Sequence, residues 1–130
     1  MLDDKRIRTE LDRWLTVLAK RRDHTILVRH EMGVIEGSSR VDLATIGHEL
    51  HGFEIKSDVD TLARLPKQIR EFNRVFNRLT LVTTPKYASK AAELLPDFWG
   101  LVLAMEDGDS VALEVVRNPE LNTATEPMAV

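Results

Sequence analysis

The chain has 130 residues, no cysteine, and 18 basic against 21 acidic side chains, for a formal net charge of −3. That length supports one hydrophobic core, and 43% hydrophobic with 30% charged residues is the balance of a folded globular protein. The missing thiols exclude a disulfide framework, a thiol nucleophile and a thiolate zinc site. No apolar run reaches the ~18 residues of a membrane span. The opening Met1-Leu2-Asp3-Asp4-Lys5-Arg6 lacks the plan of a secretion signal, so a cytoplasmic protein with no membrane partner is expected.

Ile7, Leu11, Trp14, Leu15 and Leu18 recur with a 3.6-residue period and predict an amphipathic helix over residues 3–21, ending in Lys20-Arg21-Arg22. Thr25 to His30 is a short β-branched run and reads as a strand. Gly33, Gly37, Ser38 and Ser39 mark a loop. The runs Arg40–Ile46 and Leu50–Lys56 alternate about Gly47-His48-Glu49 and predict a β-hairpin. Leu62, Leu65, Ile69, Phe72, Phe76 and Leu79 predict a second amphipathic helix, with Asp60 as its N-cap and Pro66 at a kink or in the true first turn. Leu79–Thr83 is strand-like, Tyr87–Leu95 a third helix stopped by Pro96, and Trp99–Met105 and Val111–Val116 two strands around an acidic turn. The expectation is an α/β domain over residues 1–117, with helices packed on a mixed sheet, and a flexible tail over 118–130.

The chemistry concentrates on the hairpin. Alternation puts Glu54 and Lys56 on one face of their strand, and Asp42 with Arg40 and Ala44 on one face of the other, opposite to Val41 and Leu43. A turn centred on His48 pairs residues whose numbers sum to 96, so Asp42 faces Glu54. Two opposed carboxylates repel, and Lys56 supplies one positive charge against two. A divalent cation with hard oxygen ligands, Mg²⁺ or Mn²⁺, resolves the conflict. Such an ion acidifies a bound water and neutralises charge on a phosphate oxygen, which points to phosphodiester hydrolysis with Lys56 beside the attacking water.

Asp42, an intervening hairpin and Glu54-Ile55-Lys56 resemble the PD-(D/E)XK nuclease superfamily. Arg40-Val41-Asp42-Leu43-Ala44 and the run from Gly52 through Lys56-Ser57-Asp58-Val59-Asp60-Thr61-Leu62 to Arg64-Leu65 are similar to a small bacterial and phage branch of it. In that branch the likeness extends to Leu95-Pro96-Asp97-Phe98-Trp99-Gly100. The resemblance implies a restriction-endonuclease-like α-β-β-β-α-β core, here with an extra C-terminal helix and strands. It implies Asp42 and Glu54 as metal ligands, joined by Glu31 and the Ile55 carbonyl, and Lys56 as the catalytic lysine. Gln68, with Phe72 four residues on, matches a glutamine that supports the active site. Glu10 and Glu36 rival Glu31 as the early acid. Val41 stands where the motif has proline. A Mg²⁺- or Mn²⁺-dependent nuclease acting on DNA is therefore expected, with a non-catalytic nucleic-acid-binding or interaction module on the same scaffold as the alternative.

Arg70, Arg74 and Arg78 recur every four residues behind Arg64 and Lys67, a pattern that either tracks a phosphate backbone together with Arg40 or forms a solvated helix face. His24, His30, His48 and His51 lack a third ligand at zinc spacing, so no zinc site is expected. A monomer of this size has little surface with which to enclose a duplex, which leaves a homodimer or a larger partner open.

Overall fold

The computed structural model describes residues 1–22, 25–35 and 37–126. Asp4–Arg22 forms helix α1, whose Ile7, Leu11, Leu15 and Ala19 bury one stripe at four-residue spacing. Leu27–Val34 (β1), Ser39–Ile46 (β2) and Leu50–Lys56 (β3) form an antiparallel meander. Leu65–Phe72 (α2) crosses to Arg78–Thr83 (β4). A 3-10 turn at Pro85–Tyr87 and helix Ala88–Leu94 (α3) lead to Gly100–Asp107 (β5), and Ser110–Arg117 (β6) closes the chain order.

All six strands form one sheet in the order β1-β2-β3-β4-β5-β6. Strands β3, β4 and β5 run parallel and the outer pairs antiparallel. Parallel strands linked by helical crossovers are covered on both faces, and β4 is buried from Leu79 through Thr83. On one face Leu65, Ile69 and Phe72 of α2 and Ala91 of α3 pack with Ala44, Leu79, Leu81, Leu101 and Trp99. On the other, Ile7, Leu11 and Leu15 of α1 meet Leu43, Phe53, Ile55, Val82 and Val102. Among the described residues no helix is long and apolar enough to cross a membrane.

The β2–β3 register is the expected one, Leu43 opposite Phe53 and Ala44 opposite Gly52. The face assignment of β2 is not. Val41 packs with Ala44 on the α2 side, whereas Leu43 packs under α1. The strand changes sides at Asp42, in the stretch where its β1 neighbour Glu31 adopts a left-handed backbone (φ 52). Regular alternation cannot survive such a residue.

Helix α2 is also shorter than its periodicity predicts. It begins with Pro66 in the first turn, where proline is tolerated, and ends at Phe72, after which the bonds Arg74 N–H to Glu71 O and Val75 N–H to Phe72 O tighten into a turn. Phe76 and Leu79 stay buried but belong to that turn and to β4. Asp60 does not cap the helix; its carboxylate accepts the Ser57 N–H at 2.7 Å and the Ser57 hydroxyl at 2.9 Å. Residues 118–126 carry ordered contacts: Asn122 is buried, and its amide donates to the carbonyls of Asn73 (2.7 Å) and Phe76 (3.0 Å).

Candidate functional site

Between the ends of β2 and β3 the structure opens a cavity of about 420 Å³, lined by Asp42, Glu54, Ile55, Lys56 and Gln68, with Glu31, Arg40 and Arg64 at its mouth. The ladder pairing of β2 and β3 stops at Leu43 and Phe53. Beyond it the Asp42 carboxylate replaces a backbone partner, its Oδ2 accepting the Ile55 N–H at 2.8 Å. Asp42 Oδ1 accepts from Arg8 Nη2 at 2.7 Å, and the Asp42 carbonyl accepts from Arg8 Nη1 at 3.1 Å. Arg8 also pairs with Glu31 at 3.0 Å and Asp4 at 3.0 Å.

Glu54 lies deeper. Its Oε2 accepts from Gln68 Nε2 at 2.9 Å and sits 3.6 Å from Lys56 Nζ. Glu54, Lys56 and Gln68 are all buried. The other oxygens, Glu54 Oε1 and Gln68 Oε1, are buried without a hydrogen-bond donor among the described residues. Burial first and the neighbouring Asp42 second raise the Glu54 carboxyl well above its ordinary range, against the opposing pull of Lys56. Burial raises Asp42 as well, while the Ile55 N–H and Arg8 hold it down. The pair thus keeps a proton that isolated carboxylates would have lost.

Of the expected residues, Asp42, Glu54, Lys56, Gln68 and Ile55 come together. Glu31 stands at the rim, half-exposed and engaged by Arg8, and among the described residues no three His, Cys, Asp or Glu side chains gather to hold a metal ion. Glu10 pairs with Arg13 at α1's surface; Glu36 and His24 lie outside the described residues. The arginine series is not one helix face, because α2 ends before Arg74. Arg74 pairs with Glu126, Arg78 on β4 pairs with Glu49 at 2.8 Å, and Lys67 pairs with Glu71 at 3.6 Å. Arg70 is exposed on α2. Arg40 reaches the Glu31 carbonyl at 3.4 Å.

Arg8 is the site residue that sequence reasoning missed. Its signal was an Asp4–Arg8 pair at i, i+4 beside the buried stripe, which looks like any surface ion pair.

A family model described as bacteriophage P4 protein cII matches residues 3–129. The chain belongs to that family. Protein cII of Enterobacteria phage P4 is 32% identical over 117 residues, 90% of this chain, and the chain spans only 44% of that relative's length. Among solved structures, the SPO1766 protein of unknown function from Silicibacter pomeroyi is similar with a TM-score of 0.54 and 25% identity, over 85% of this chain and 70% of that one.

Membership in the cII family corrects the sequence expectation. The D…ExK pattern and its flanking run resemble PD-(D/E)XK nucleases, but the match over nearly the whole length is to P4 protein cII. The nuclease, hydrolase and enzyme readings, and the alternative built on a nuclease-like module, give way to it. The physical reason is that a short acid-acid-lysine pattern arises wherever two central strands splay and bury charge. Here Asp42 spends its two oxygens on Arg8 and on the Ile55 N–H. Glu31, the expected third acid, is engaged by Arg8 at 3.0 Å, and among the described residues no three such side chains gather to hold a metal ion.

Proposed function

We propose that the cavity over Asp42 and Glu54 takes up one divalent cation, Mg²⁺ or Mn²⁺, and that the loaded site anchors a phosphate of a nucleic-acid strand, DNA in the first instance. The observation that carries this reading is the pair of buried, donor-less oxygens on Glu54 and Gln68. A buried acceptor without a partner costs on the order of 1–3 kcal/mol, and two acceptors beside a second carboxyl suit a hard cation. The residues that would hold such an ion are Glu54, which gives up its proton on binding, with Gln68 Oε1 and the Ile55 carbonyl as neutral oxygens; Asp42, engaged by Arg8 and the Ile55 N–H, adds its charge from beside the ion. When bound, the ion offers a positive centre to a phosphate oxygen.

Lys56 balances Glu54 Oε2, and Arg8 aims Asp42 and opposes the upward push of burial on its carboxyl. Arg40 and Arg64 at the mouth, with Lys67 and Arg70 on α2, would neutralise further phosphates; Arg74 contributes least, being tied to Glu126. As a scaffold, the strand order and the single antiparallel β2 among β1, β3, β4 and β5 support a restriction-endonuclease-like core. A shared scaffold does not carry an activity with it.

The test is calorimetric titration of Mn²⁺ and Mg²⁺ into wild type, Glu54→Gln and Asp42→Asn, alongside fluorescence anisotropy of labelled DNA with ion or chelator. One ion per chain, lost in Glu54→Gln, and DNA binding that needs the ion support the proposal. No ion uptake at millimolar concentrations, or DNA binding indifferent to chelator and to Arg40→Gln with Arg64→Gln, overturns it.

A further inference from the structure

On the opposite face of the sheet, under the C-terminal half of α1, lies a second cavity of about 600 Å³. It falls within the roughly 300–1,000 Å³ of small-molecule sites. Its walls mix aromatic and aliphatic side chains with polar ones. Trp14 and Leu18 descend from α1, and Phe53 and His51 rise from β3 with their rings stacked, centroids 4.0 Å apart.

His51 is an unusual floor residue. Burial, with Arg78 adding to it, pushes its imidazole down to about 3. It is therefore neutral near pH 7, with one donor and one acceptor nitrogen. Nε2 meets the Thr80 hydroxyl at 2.8 Å, and the other ring nitrogen makes no hydrogen bond among the described residues. Among the described residues, Arg22, Arg78 and Arg117 line the same cavity against one acid, Glu49. Arg78 pairs with Glu49, and Arg117 donates to the Trp99 carbonyl at 2.8 Å. Arg22 makes no ion pair among the described residues. A slot with stacked rings on one wall, a polar nitrogen on its floor and more arginine than acid among the described residues is matched to one ligand chemistry.

We propose that this cavity binds a small aromatic anion, with its flat ring against Trp14 and the His51–Phe53 stack and its phosphate or carboxylate toward Arg22. Ring stacking supplies the affinity, and the arginines select for the acid group. The site is separate from the Asp42–Glu54 cavity and does not depend on that reading.

The test is calorimetry with four probes: adenosine monophosphate, indoleacetate, decanoate and inorganic phosphate. Trp14, half-buried in the wall, reports occupancy by fluorescence, whereas Trp99 is fully buried elsewhere. Saturable one-to-one binding of adenosine monophosphate or indoleacetate supports the proposal; which of the two binds tells a phosphate source from a carboxylate one. Binding should weaken roughly tenfold in Arg22→Gln, the equivalent of one charged contact, and vanish in Thr45→Phe, which fills the slot. Glu54→Gln should leave it unchanged. Failure of both ring anions to saturate overturns the proposal, as does decanoate or phosphate binding equally well. Indifference to Arg22→Gln, an exposed position where the fold is not at risk, overturns it too.

Discussion

Replacing Glu54 by glutamine removes a buried carboxyl and keeps its volume. Burial and Asp42 hold the Glu54 carboxyl well above the 4.5 of a free glutamate. Below that ordinary value both folded and unfolded chains carry the proton, and stability is at its fullest. As pH rises toward the folded value, the unfolded chain ionises first and stability declines, by about 1.4 kcal/mol for each unit of separation. Glutamine has no such slope. Urea unfolding of both proteins from about pH 4 to about pH 8 should therefore show the variant gaining steadily on wild type, then levelling once Glu54 ionises in the folded protein. Groups that do not touch Glu54 cancel in the difference; Asp42, which titrates together with Glu54, falls back in the variant and adds to the gain. Repeated with Mg²⁺ at a hundredfold excess over its Kd, the experiment should stabilise wild type by about 2.7 kcal/mol and leave the variant where it was. A difference that stays flat with pH refutes the buried proton. Equal stabilisation of both proteins by Mg²⁺ refutes the ion's place beside Glu54.

Arg8→Ala strips Asp42, Glu31 and Asp4 of their shared partner; it should cost about 2 kcal/mol by thermal melting and move the Asp42 titration upward by NMR. Gly100→Ala would set a Cβ 2.7 Å from Thr80 Oγ1 and 2.9 Å from Pro119 Cδ, so a loss of about 1–3 kcal/mol is expected in urea unfolding. Asn122→Ala leaves the Asn73 and Phe76 carbonyls without their side-chain donor. It should lower stability by about 1–3 kcal/mol and speed hydrogen exchange at the amides of Asn122 and Glu126, which bond to Asn77 and Arg74.

Much of the architecture was legible because burial imposes period. The stripe of Ile7, Leu11 and Leu15, the alternation of β3, and the hairpin register that brings Asp42 near Glu54 all follow from which residues must leave water. What eluded the sequence were places where local backbone geometry overrides period. The left-handed Glu31 accompanies the change of sides at Asp42, so Val41 and Leu43 face opposite ways. The spacing of Phe72, Phe76 and Leu79 continued a helical rhythm across a turn because each residue happens to point into the same core. Arg8 eluded it for another reason: its partner at the centre of the site, Asp42, lies 34 residues away in the chain. Family was misread because a few charged residues on two strands are a small pattern, shared by chains whose whole lengths belong elsewhere.

The parting of β2 from β3 beyond Leu43 and Phe53 has a kinetic consequence. The Asp42 cavity is a gap between strands fixed by register, with the Asp42 carboxylate standing in as a spacer where a ladder rung would otherwise close it. Glu54 Oε1 and Gln68 Oε1 lie buried behind that spacer, so the proposed ion would have to wait for Asp42 to let go of the Ile55 N–H before it reached them. Entry should therefore be slower than diffusion, and a bound ion should leave slowly for the same reason.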